Sequence, residues 1–291
     1  MPYVPRDIPR DMLSPGEREW LKMEQGTRYP CAPPPEECKQ PEHFEGYCTT
    51  EGNELRPPTA YPMKPMKGRP HILCLHGTAC NTEVLKIQLR VLTEIWSQTA
   101  DISFIEGARV MTNPYHPTFR QIGDLYPSAG FQREYVETLP IDREAKVYGA
   151  FDWALAKFED KLAQLEKPVD VLVGFSQGAL FATLVAARAL KINAEKCPAP
   201  FRCVVLLCPP NPISLSQRAP TLFSEPLPIP AFICKGLEDD VVPGGPEMYE
   251  SLYKTIEWCD HPSGHQPLPS EKADAEALSK KIIQFVKKNC S

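Results

Sequence analysis

The sequence predicts an α/β fold in which a mainly parallel, doubly wound sheet carries helices on both faces, preceded by an irregular extension. From residue 69 onward, short continuous apolar segments alternate with amphipathic ones. Such apolar, β-branched segments are typical of strands that are buried on both faces of a parallel sheet. The first 70 residues instead carry 14 of the 33 prolines and no sustained apolar periodicity, which opposes regular structure.

The chain therefore divides into a proline-rich irregular extension at residues 1–68 and one large domain at residues 69–291. A length of 291 residues is sufficient for a single domain with a well-buried core. Within the extension, Pro15–Met23 is predicted to form a short helix with Ser14 as its N-cap.

The alternation places each element of the domain. Strands are predicted at His71–Leu75, Ile102–Ile105, Asp170–Gly174, Cys203–Cys208, Ala231–Lys235 and, more weakly marked, Thr255–Trp258. Helices are predicted at Thr82–Trp96, Arg143–Leu165, Gln177–Leu190, Pro246–Tyr253 and Glu271–Lys288. Two segments interrupt this order, Gly107–Leu139 and Pro209–Pro230, and long loops of this kind are usually lids or binding loops. Open α/β sheets bind ligands at the carboxyl ends of their strands, from which both loops would leave.

The composition excludes several function classes. A net charge of −5 gives no electrostatic reason to expect nucleic-acid binding. No apolar run approaches the roughly 20 residues of a membrane span, and the first residues lack the apolar core of a secretory signal. A soluble, cytoplasmic protein is expected. The oligomeric state is not predicted.

The 11 cysteines are interpreted as free thiols, because the count is odd and several lie inside apolar runs. Cys31, Cys38 and Cys48 flank His43 in the extension, but their spacing lacks the paired C-x-x-C of a zinc site. No metal cofactor is expected.

The segment Gly174–Phe175–Ser176–Gln177–Gly178 carries the strongest chemical signal. It directly follows a strand pattern and precedes a helix pattern, so it predicts a sharp turn that lifts the hydroxyl of Ser176 above the sheet edge. The flanking glycines allow close approach of strand and helix. The alternative is a glycine-rich connection with an N-capping serine.

A serine hydroxyl requires a base at neutral pH, and His265 is the best-placed histidine. It lies in a turn-rich loop after the last predicted strand, in agreement with the order serine, acid, histidine along such chains. His261 is the competing candidate. The acid should follow the strand at Ala231–Lys235, where spacing alone leaves Asp239 and Asp240 open.

An oxyanion hole completes the predicted site. One donor is the backbone N–H of Gln177, and the second is that of Thr78, in the turn after the first strand. His76, in the same turn, is assigned to packing. The loop Gly107–Leu139 is predicted to form much of an acyl pocket through four aromatic residues, Tyr115, Phe119, Tyr126 and Phe131; the alternative is a packed surface excursion.

Five blocks resemble the fungal-type FSH family of serine hydrolases, which includes the ovarian-cancer-associated gene 2 proteins and has the α/β-hydrolase fold. The blocks are ILCLHG, FIEGA, VDVLVGFSQGA, GLEDDVVP and HPSGHQPLP, which occur in that order between residues 69 and 288. The family pattern G-x-x-D-x-x-V-P selects Asp239 as the acid, and H-P-x-G-H selects His265 as the base. The chain departs from the family in Ala108, where a proline is usual, and in the lack of a tryptophan pair in the segment that follows.

The resemblance implies a cofactor-independent esterase or thioesterase that acts on a small-molecule substrate. Two other functions fit the same sequence. The chain could be a non-catalytic protein that binds a ligand in a hydrolase cavity, or an interaction protein that acts through its proline-rich extension. Covalent labelling of Ser176 separates the first from an enzyme, and deletion of Met1–Lys67 tests the second.

Overall fold

The computed structural model describes residues 68–111, 117–140, 146–149, 151–193 and 201–290. The extension up to residue 67, with the predicted helix Pro15–Met23, lies outside the described residues, as does Tyr115. The division of the chain at residue 68 therefore stays a prediction.

Ten strands are described. They are β1 (His71–Leu75), β2 (Asp101–Ile105), β3 (Arg109–Val110), β4 (Arg133–Glu134), β5 (Glu137–Pro140), β6 (Lys146–Gly149), β7 (Val171–Phe175), β8 (Cys203–Leu207), β9 (Ala231–Gly236) and β10 (Ile256–His261). Six of them form the central sheet in the order β10-β9-β8-β7-β1-β2, with every neighbouring pair parallel. The predicted parallel sheet is confirmed. The pairs β3–β4 and β5–β6 form two small antiparallel ladders beside it.

Seven α-helices connect or flank these strands. They are α1 (Thr82–Gln88), α2 (Arg90–Trp96), α3 (Pro117–Leu125), α4 (Phe151–Leu162), α5 (Gln177–Asn193), α6 (Ile213–Arg218) and α7 (Lys272–Cys290). Helix α1 begins where the Asn81 side chain accepts a hydrogen bond from the amide of Val84 at 2.9 Å, which satisfies one of the helix's first N–H groups.

Several predicted elements require correction. The helix predicted at Thr82–Trp96 is divided at Leu89 into α1 and α2. The one predicted at Arg143–Leu165 is too long, because residues 146–149 form β6, whose alternating sequence KVYG pairs with β5. The segment predicted at Pro246–Tyr253 is a 3-10 helix at Pro246–Ser251.

The two predicted long loops also contain regular structure. Residues 107–139 include β3, α3, β4 and most of β5. The segment Pro209–Pro230 includes α6 and a short 3-10 helix at Pro220–Leu222. Both segments still leave from carboxyl strand ends, as expected.

Alternate residues of each central strand enter the two cores. On β7, Leu172 packs with α4 and α5, whereas Val171 and Val173 pack with α1, α2 and α7 on the opposite face. This period of two follows from strand geometry, and it explains why the strands are apolar without interruption. Among the described residues, no helix is both long enough and apolar enough to cross a bilayer.

Candidate active site

Ser176 occupies the turn between β7 and α5. Its backbone φ of 51° lies in the left-handed region, which residues other than glycine adopt at an energetic cost. The amide of Ser176 donates to the carbonyl of Leu207 at the end of β8, 2.9 Å away, and this bond holds the strained turn in place. The sharp strand-to-helix turn predicted from the sequence is therefore present.

The two glycines of the motif make close approaches that no side chain would permit. A Cβ at Gly174 would lie 2.3 Å from the carbonyl oxygen of Gly178 and 2.5 Å from the Cα of Ala179, so α5 crowds its own preceding strand. A Cβ at Gly178 would lie 2.4 Å from the carbonyl oxygen of Leu75. The second glycine thus brings α5 against the end of β1 rather than against β7.

His265 lies directly over the serine. Its Nε2 is 2.9 Å from the hydroxyl oxygen of Ser176, and its Nδ1 is 2.8 Å from a carboxylate oxygen of Asp239. A carboxylate can only accept, so Nδ1 carries the proton and Nε2 offers its lone pair to the serine hydroxyl. The ring also packs on Phe175, with centroids 5.1 Å apart.

Asp239 is held as an ionised acceptor. Its second oxygen accepts from the amides of Val241 at 3.0 Å and Val242 at 3.1 Å. Burial opposes ionisation, but the hydrogen bond and charge of His265 together with these two amides outweigh it, so the pKa of Asp239 lies below its ordinary value. Of the two candidates that spacing left open, the structure brings Asp239 to His265, whereas Asp240 is exposed.

The loops that carry the acid and the histidine are joined by their backbones. A Cβ at Gly236 would lie 2.3 Å from the carbonyl oxygen of Gly264 and 2.4 Å from that of Ser263. The amide of Leu237 donates to the carbonyl of His261 at 2.9 Å. The glycine that ends β9 is therefore required for the close contact that sets the distance between acid and imidazole.

His261, the competing base, is bonded within its own loop. Its Nε2 lies 3.0 Å from the carbonyl oxygen of Gln266, and its Nδ1 accepts from the amide of Ser263 at 3.3 Å. Burial lowers the pKa of His261 below its ordinary value, in keeping with a neutral ring. Both nitrogens thus hold the loop that presents His265, and the structure does not bring His261 to Ser176.

His76 is fully buried after β1, which agrees with its assignment to packing. Its Nδ1 donates to the carbonyl of Gly77 at 2.8 Å, and its Nε2 accepts from the amide of Gly107 at 2.9 Å. Burial lowers the pKa of His76 to about 4. This neutral ring joins the turn after β1 to the segment after β2.

The two predicted oxyanion donors flank the serine. Gln177 is the first residue of α5, where helix amides form the positive end of the helix dipole. Thr78 lines the same cavity as Ser176, and a Cβ at Gly77 would lie only 3.1 Å from the Cβ of Ser176. The turn after β1 is therefore in close contact with the serine, and the role of the two amides as oxyanion donors stays a prediction.

A cavity of about 490 Å³ opens beside Ser176 and His265. This volume is in the range of small-molecule sites. Its wall includes apolar side chains from α1, α2, α3 and the loops after β9 and β10: Ile87, Val91, Ile122, Leu125, Val241 and Leu268. Ile87, Leu125 and Val241 are partly exposed at 56%, 62% and 40%, so they form an apolar surface accessible to a ligand.

The predicted aromatic pocket requires correction. Tyr126 lines the cavity, but Phe119 and Phe131 do not. The carbonyl of Phe119 accepts from the Gln132 side chain at 2.8 Å, and Phe131 is 65% exposed. The prediction took the segment as a loop and chose its aromatic residues. Because residues 117–125 form a helix, the stripe at Ile122, Leu125 and Tyr126 faces the cavity instead.

The sequence did not predict the contacts of two side chains near the serine, those of Gln177 and Cys208. The Gln177 side chain accepts from the amide of Tyr135 at 2.8 Å and donates to the carbonyl of Val136 at 2.9 Å, so it fixes the segment after β4. Cys208, interpreted as a strand core residue, lies at the carboxyl end of β8 near Asp239 and His265. An amphipathic pattern would have revealed α3, but no local pattern reveals either of these contacts.

Comparison with known proteins identifies the family of the chain. Residues 66–278 match the family described as "Serine hydrolase (FSH1)". The chain is 26% identical over 268 residues to a protein of Talaromyces stipitatus named "Hydrolase phiM", which covers 79% of this chain and 96% of that protein.

Solved structures with a similar fold include a Bacillus cereus carboxylesterase, with 18% identity, a TM-score of 0.46 and coverage of 74% of this chain and 88% of that one. Arabidopsis thaliana SOBER1 has 18% identity and a TM-score of 0.47, with coverage of 75% and 100%. The family match spans most of the chain and includes the strand–turn–helix at Ser176. The chain has the α/β-hydrolase fold and belongs to the serine hydrolase (FSH1) family.

Proposed function

We propose that this serine hydrolase cleaves carboxylic esters or thioesters of small molecules through an acyl-serine intermediate. Ser176 is the nucleophile, His265 the base and Asp239 the acid that orients the imidazole. The observation that carries the proposal is the continuous hydrogen-bonded chain from hydroxyl to imidazole to carboxylate, which opens on a cavity of about 490 Å³.

The protonation states suit the first step. Because Asp239 holds the proton on Nδ1 of His265, Nε2 is free to take the hydroxyl proton as Ser176 attacks the carbonyl carbon. Negative charge then develops on the carbonyl oxygen, where the amides of Gln177 and Thr78 stabilise it. Each such donor contributes about 3–4 kcal/mol to transition-state stabilisation.

The second half returns the proton. His265 gives its proton to the leaving alcohol or thiol as the C–O or C–S bond breaks, which leaves the acyl group on Ser176. Water then attacks the acyl-serine with His265 again acting as base, and the carboxylic acid departs. Every group that moves a proton in this scheme is a side chain of this chain, so it requires no cofactor.

The cavity lining includes polar residues such as Arg90 and Gln121, and its apolar part supports an acyl substrate. Leu125 and Ile122 of α3 and Val91 of α2 line the cavity, and apolar side chains of this kind favour a hydrocarbon acyl group. These lining residues do not distinguish an alcohol from a thiol leaving group, so esters and thioesters are tested side by side.

Labelling with a fluorophosphonate tests the nucleophile. We expect one covalent adduct, located on Ser176 by peptide mass spectrometry and absent from Ser176→Ala. Ser128→Ala, a substitution of an exposed loop serine, is the matched control and should label like the wild type. A folded wild type that remains unlabelled, or labelling that survives Ser176→Ala, would overturn the proposal in favour of a ligand-binding role.

Turnover of p-nitrophenyl esters of increasing acyl length, beside the matching acyl thioesters and anilides, tests the substrate class. We expect an optimum of acyl length for esters or thioesters and much slower cleavage of anilides. Faster cleavage of anilides than of esters would contradict the proposed substrate class.

A further inference from the structure

Cys208 is a buried thiol beside the proposed catalytic groups. The acyl-transfer scheme does not use this thiol. Cys208 follows β8 with a backbone φ of 45°, and its amide donates to the carbonyl of Cys234 at 2.8 Å. Its sulfur lies 3.2 Å from the carbonyl oxygen of Gln266 and 3.7 Å from Nε2 of His261. The strained backbone and these neighbours hold the sulfur close to the carboxylate of Asp239 and the imidazole of His265.

Three different ligand atoms converge there. The sulfur of Cys208, a carboxylate oxygen of Asp239 and a ring nitrogen of His265 all lie within 4.8 Å of one another. Tetrahedral zinc holds sulfur, nitrogen and oxygen at about 2.0–2.3 Å, which places the ligand atoms roughly 3.3–3.7 Å apart. The separation of at most 4.8 Å lies close to this range, and a metal would replace the hydrogen bond between Asp239 and His265. Carboxylate, imidazole and thiolate together are a ligand set that zinc accepts and that magnesium or calcium does not favour.

We propose that Cys208, Asp239 and His265 form an inhibitory site for a thiophilic divalent cation such as Zn²⁺. This inference rests on the proposed function for its effect on turnover, although binding of the metal can be measured without turnover. The fourth ligand is a water molecule or a backbone carbonyl oxygen.

Inhibition follows from the position of one proton. A metal bound to Nδ1 of His265 uses the lone pair there, so the single ring proton moves to Nε2 and the imidazole stays neutral. Nε2 then carries a hydrogen and can no longer accept the proton of Ser176. The thiol of Cys208 loses its proton to solvent on binding the metal, so one proton is released per cation.

The metal also removes Asp239 from its orienting role. The oxygen that accepts from His265 at 2.8 Å becomes a ligand or turns away, and the imidazolium that would form during catalysis loses its partner. The serine remains in place, yet it has no base. Removal of the metal by a chelator restores the original hydrogen bonds, so inhibition is reversible.

Metal binding is tested with the full chain and Co²⁺ as the spectroscopic probe. We expect a sulfur-to-cobalt charge-transfer band in the wild type that is lost in Cys208→Ala, together with one fewer bound metal equivalent by plasma mass spectrometry. Cys74→Ala, which removes a fully buried thiol from β1, should keep the band. The difference spectrum between the wild type and Cys208→Ala isolates the contribution of Cys208 from that of the other cysteines. An identical spectrum and stoichiometry in wild type and Cys208→Ala would refute the site.

Inhibition is tested with Zn²⁺ and with Mg²⁺ as the hard-cation control. Zn²⁺ should reversibly inhibit ester turnover by the wild type and by Cys74→Ala. Without metal, Cys208→Ala should turn over the ester at a rate similar to that of the wild type. It should require at least about tenfold more Zn²⁺ for the same inhibition. Cys208→Ser, which preserves a donor toward Gln266, serves if the alanine variant does not fold. Equal zinc sensitivity of wild type and variant would overturn the inference while leaving the hydrolase proposal intact. If the protein shows the cobalt band but does not turn over esters, the hydrolase proposal is refuted and the metal site is not.

Discussion

The turn after β1 and the loop after β10 both follow carboxyl strand ends, both contact Ser176 and each carries a histidine. His76 is fully buried, with both ring nitrogens bonded to backbone groups. His265 bonds a carboxylate with one nitrogen and the serine hydroxyl with the other, and its side chain is 15% exposed. The two rings lie in loops that border the same serine but have different partners.

This difference shows that the partners of an imidazole decide what it can do. A ring that bridges two peptide groups is useful only while it stays neutral, because a proton on Nε2 of His76 would face the amide hydrogen of Gly107. A ring that bridges a carboxylate and a hydroxyl gains from protonation, because Asp239 stabilises the resulting charge. The first contributes to the fold, and we expect the second to contribute to turnover.

The largest expected effect is the loss of activity in His265→Gln. Without the imidazole, Ser176 has no base, so kcat/KM on a p-nitrophenyl ester should fall by about 10⁴-fold, or about 5.5 kcal/mol in transition-state free energy. Urea denaturation should show a free energy of unfolding within about 1 kcal/mol of the wild type, because the glutamine amide can still donate to Asp239.

The counterpart is His76→Gln, which should behave in the opposite way. Its free energy of unfolding should fall by about 1–3 kcal/mol, since a buried hydrogen-bonded bridge is disrupted, while kcat of the folded fraction changes far less than in His265→Gln. If His76→Gln proved the more damaging to kcat, the comparison between the two loops would be wrong.

The dependence of the free energy of unfolding on pH should show that His76 stays neutral in the folded protein. Burial lowers the pKa of His76 to about 4, from 6.5 as the unfolded reference. Between these values the unfolded chain binds a proton that the native chain does not, so the free energy of unfolding falls as pH decreases through this window. The full loss from this group is about 3 kcal/mol. Urea midpoints at several pH values give the slope.

His76→Gln is the control for that titration. It removes one proton-binding group from the unfolded state, so its stability should depend less steeply on pH between about 6.5 and 4. His261, whose pKa burial also lowers, stays in both proteins and cancels in the difference. Parallel curves for the two proteins would mean that folding does not lower the pKa of His76.

A smaller effect is expected from Gly236→Ala, which tests the backbone contact between acid loop and histidine loop. The new Cβ would collide with two carbonyl oxygens, at 2.3 Å and 2.4 Å, so the loops must separate. We expect a loss of about 1–3 kcal/mol in the free energy of unfolding and a lower kcat as the acid moves from His265. Gly123→Ala in α3 approaches no backbone atom and gains helix propensity, so it should not lower the free energy of unfolding and should leave kcat unchanged. Wild-type kcat in Gly236→Ala would show that the contact is not needed to align the acid.

The sequence was sufficient for the parts of the site that depend on local pattern. A strand buried on both faces is continuously apolar, and the turn at Ser176 requires glycines at fixed positions, so β7, the serine and the start of α5 could all be predicted. The choice of Asp239 over Asp240 needed the family pattern, because both carboxylates follow the same strand.

Contacts between distant segments left no such pattern. Strands β3 and β4 have two residues each and pair across more than 20 positions, so no periodicity marks them. Cys208 looked like any other strand thiol, because only the fold brings the end of β8 beside the acid and the imidazole. A role that depends on contacts between distant segments cannot be predicted from local sequence patterns, because no periodicity or spacing reports such contacts.

The smallest effect, and the last test, concerns two exposed apolar side chains from the same segment. Leu125 and Phe131 are 62% and 65% exposed, but only Leu125 lines the cavity. If the cavity binds the acyl group, Leu125→Ala should raise KM for a long-chain ester about fivefold, since about 1 kcal/mol of apolar contact is lost, and should leave the acetate ester unaffected. Phe131→Ala should change neither KM. A larger effect of Phe131→Ala would place the acyl group along the aromatic loop predicted from the sequence, and α3 would then have no part in selecting chain length.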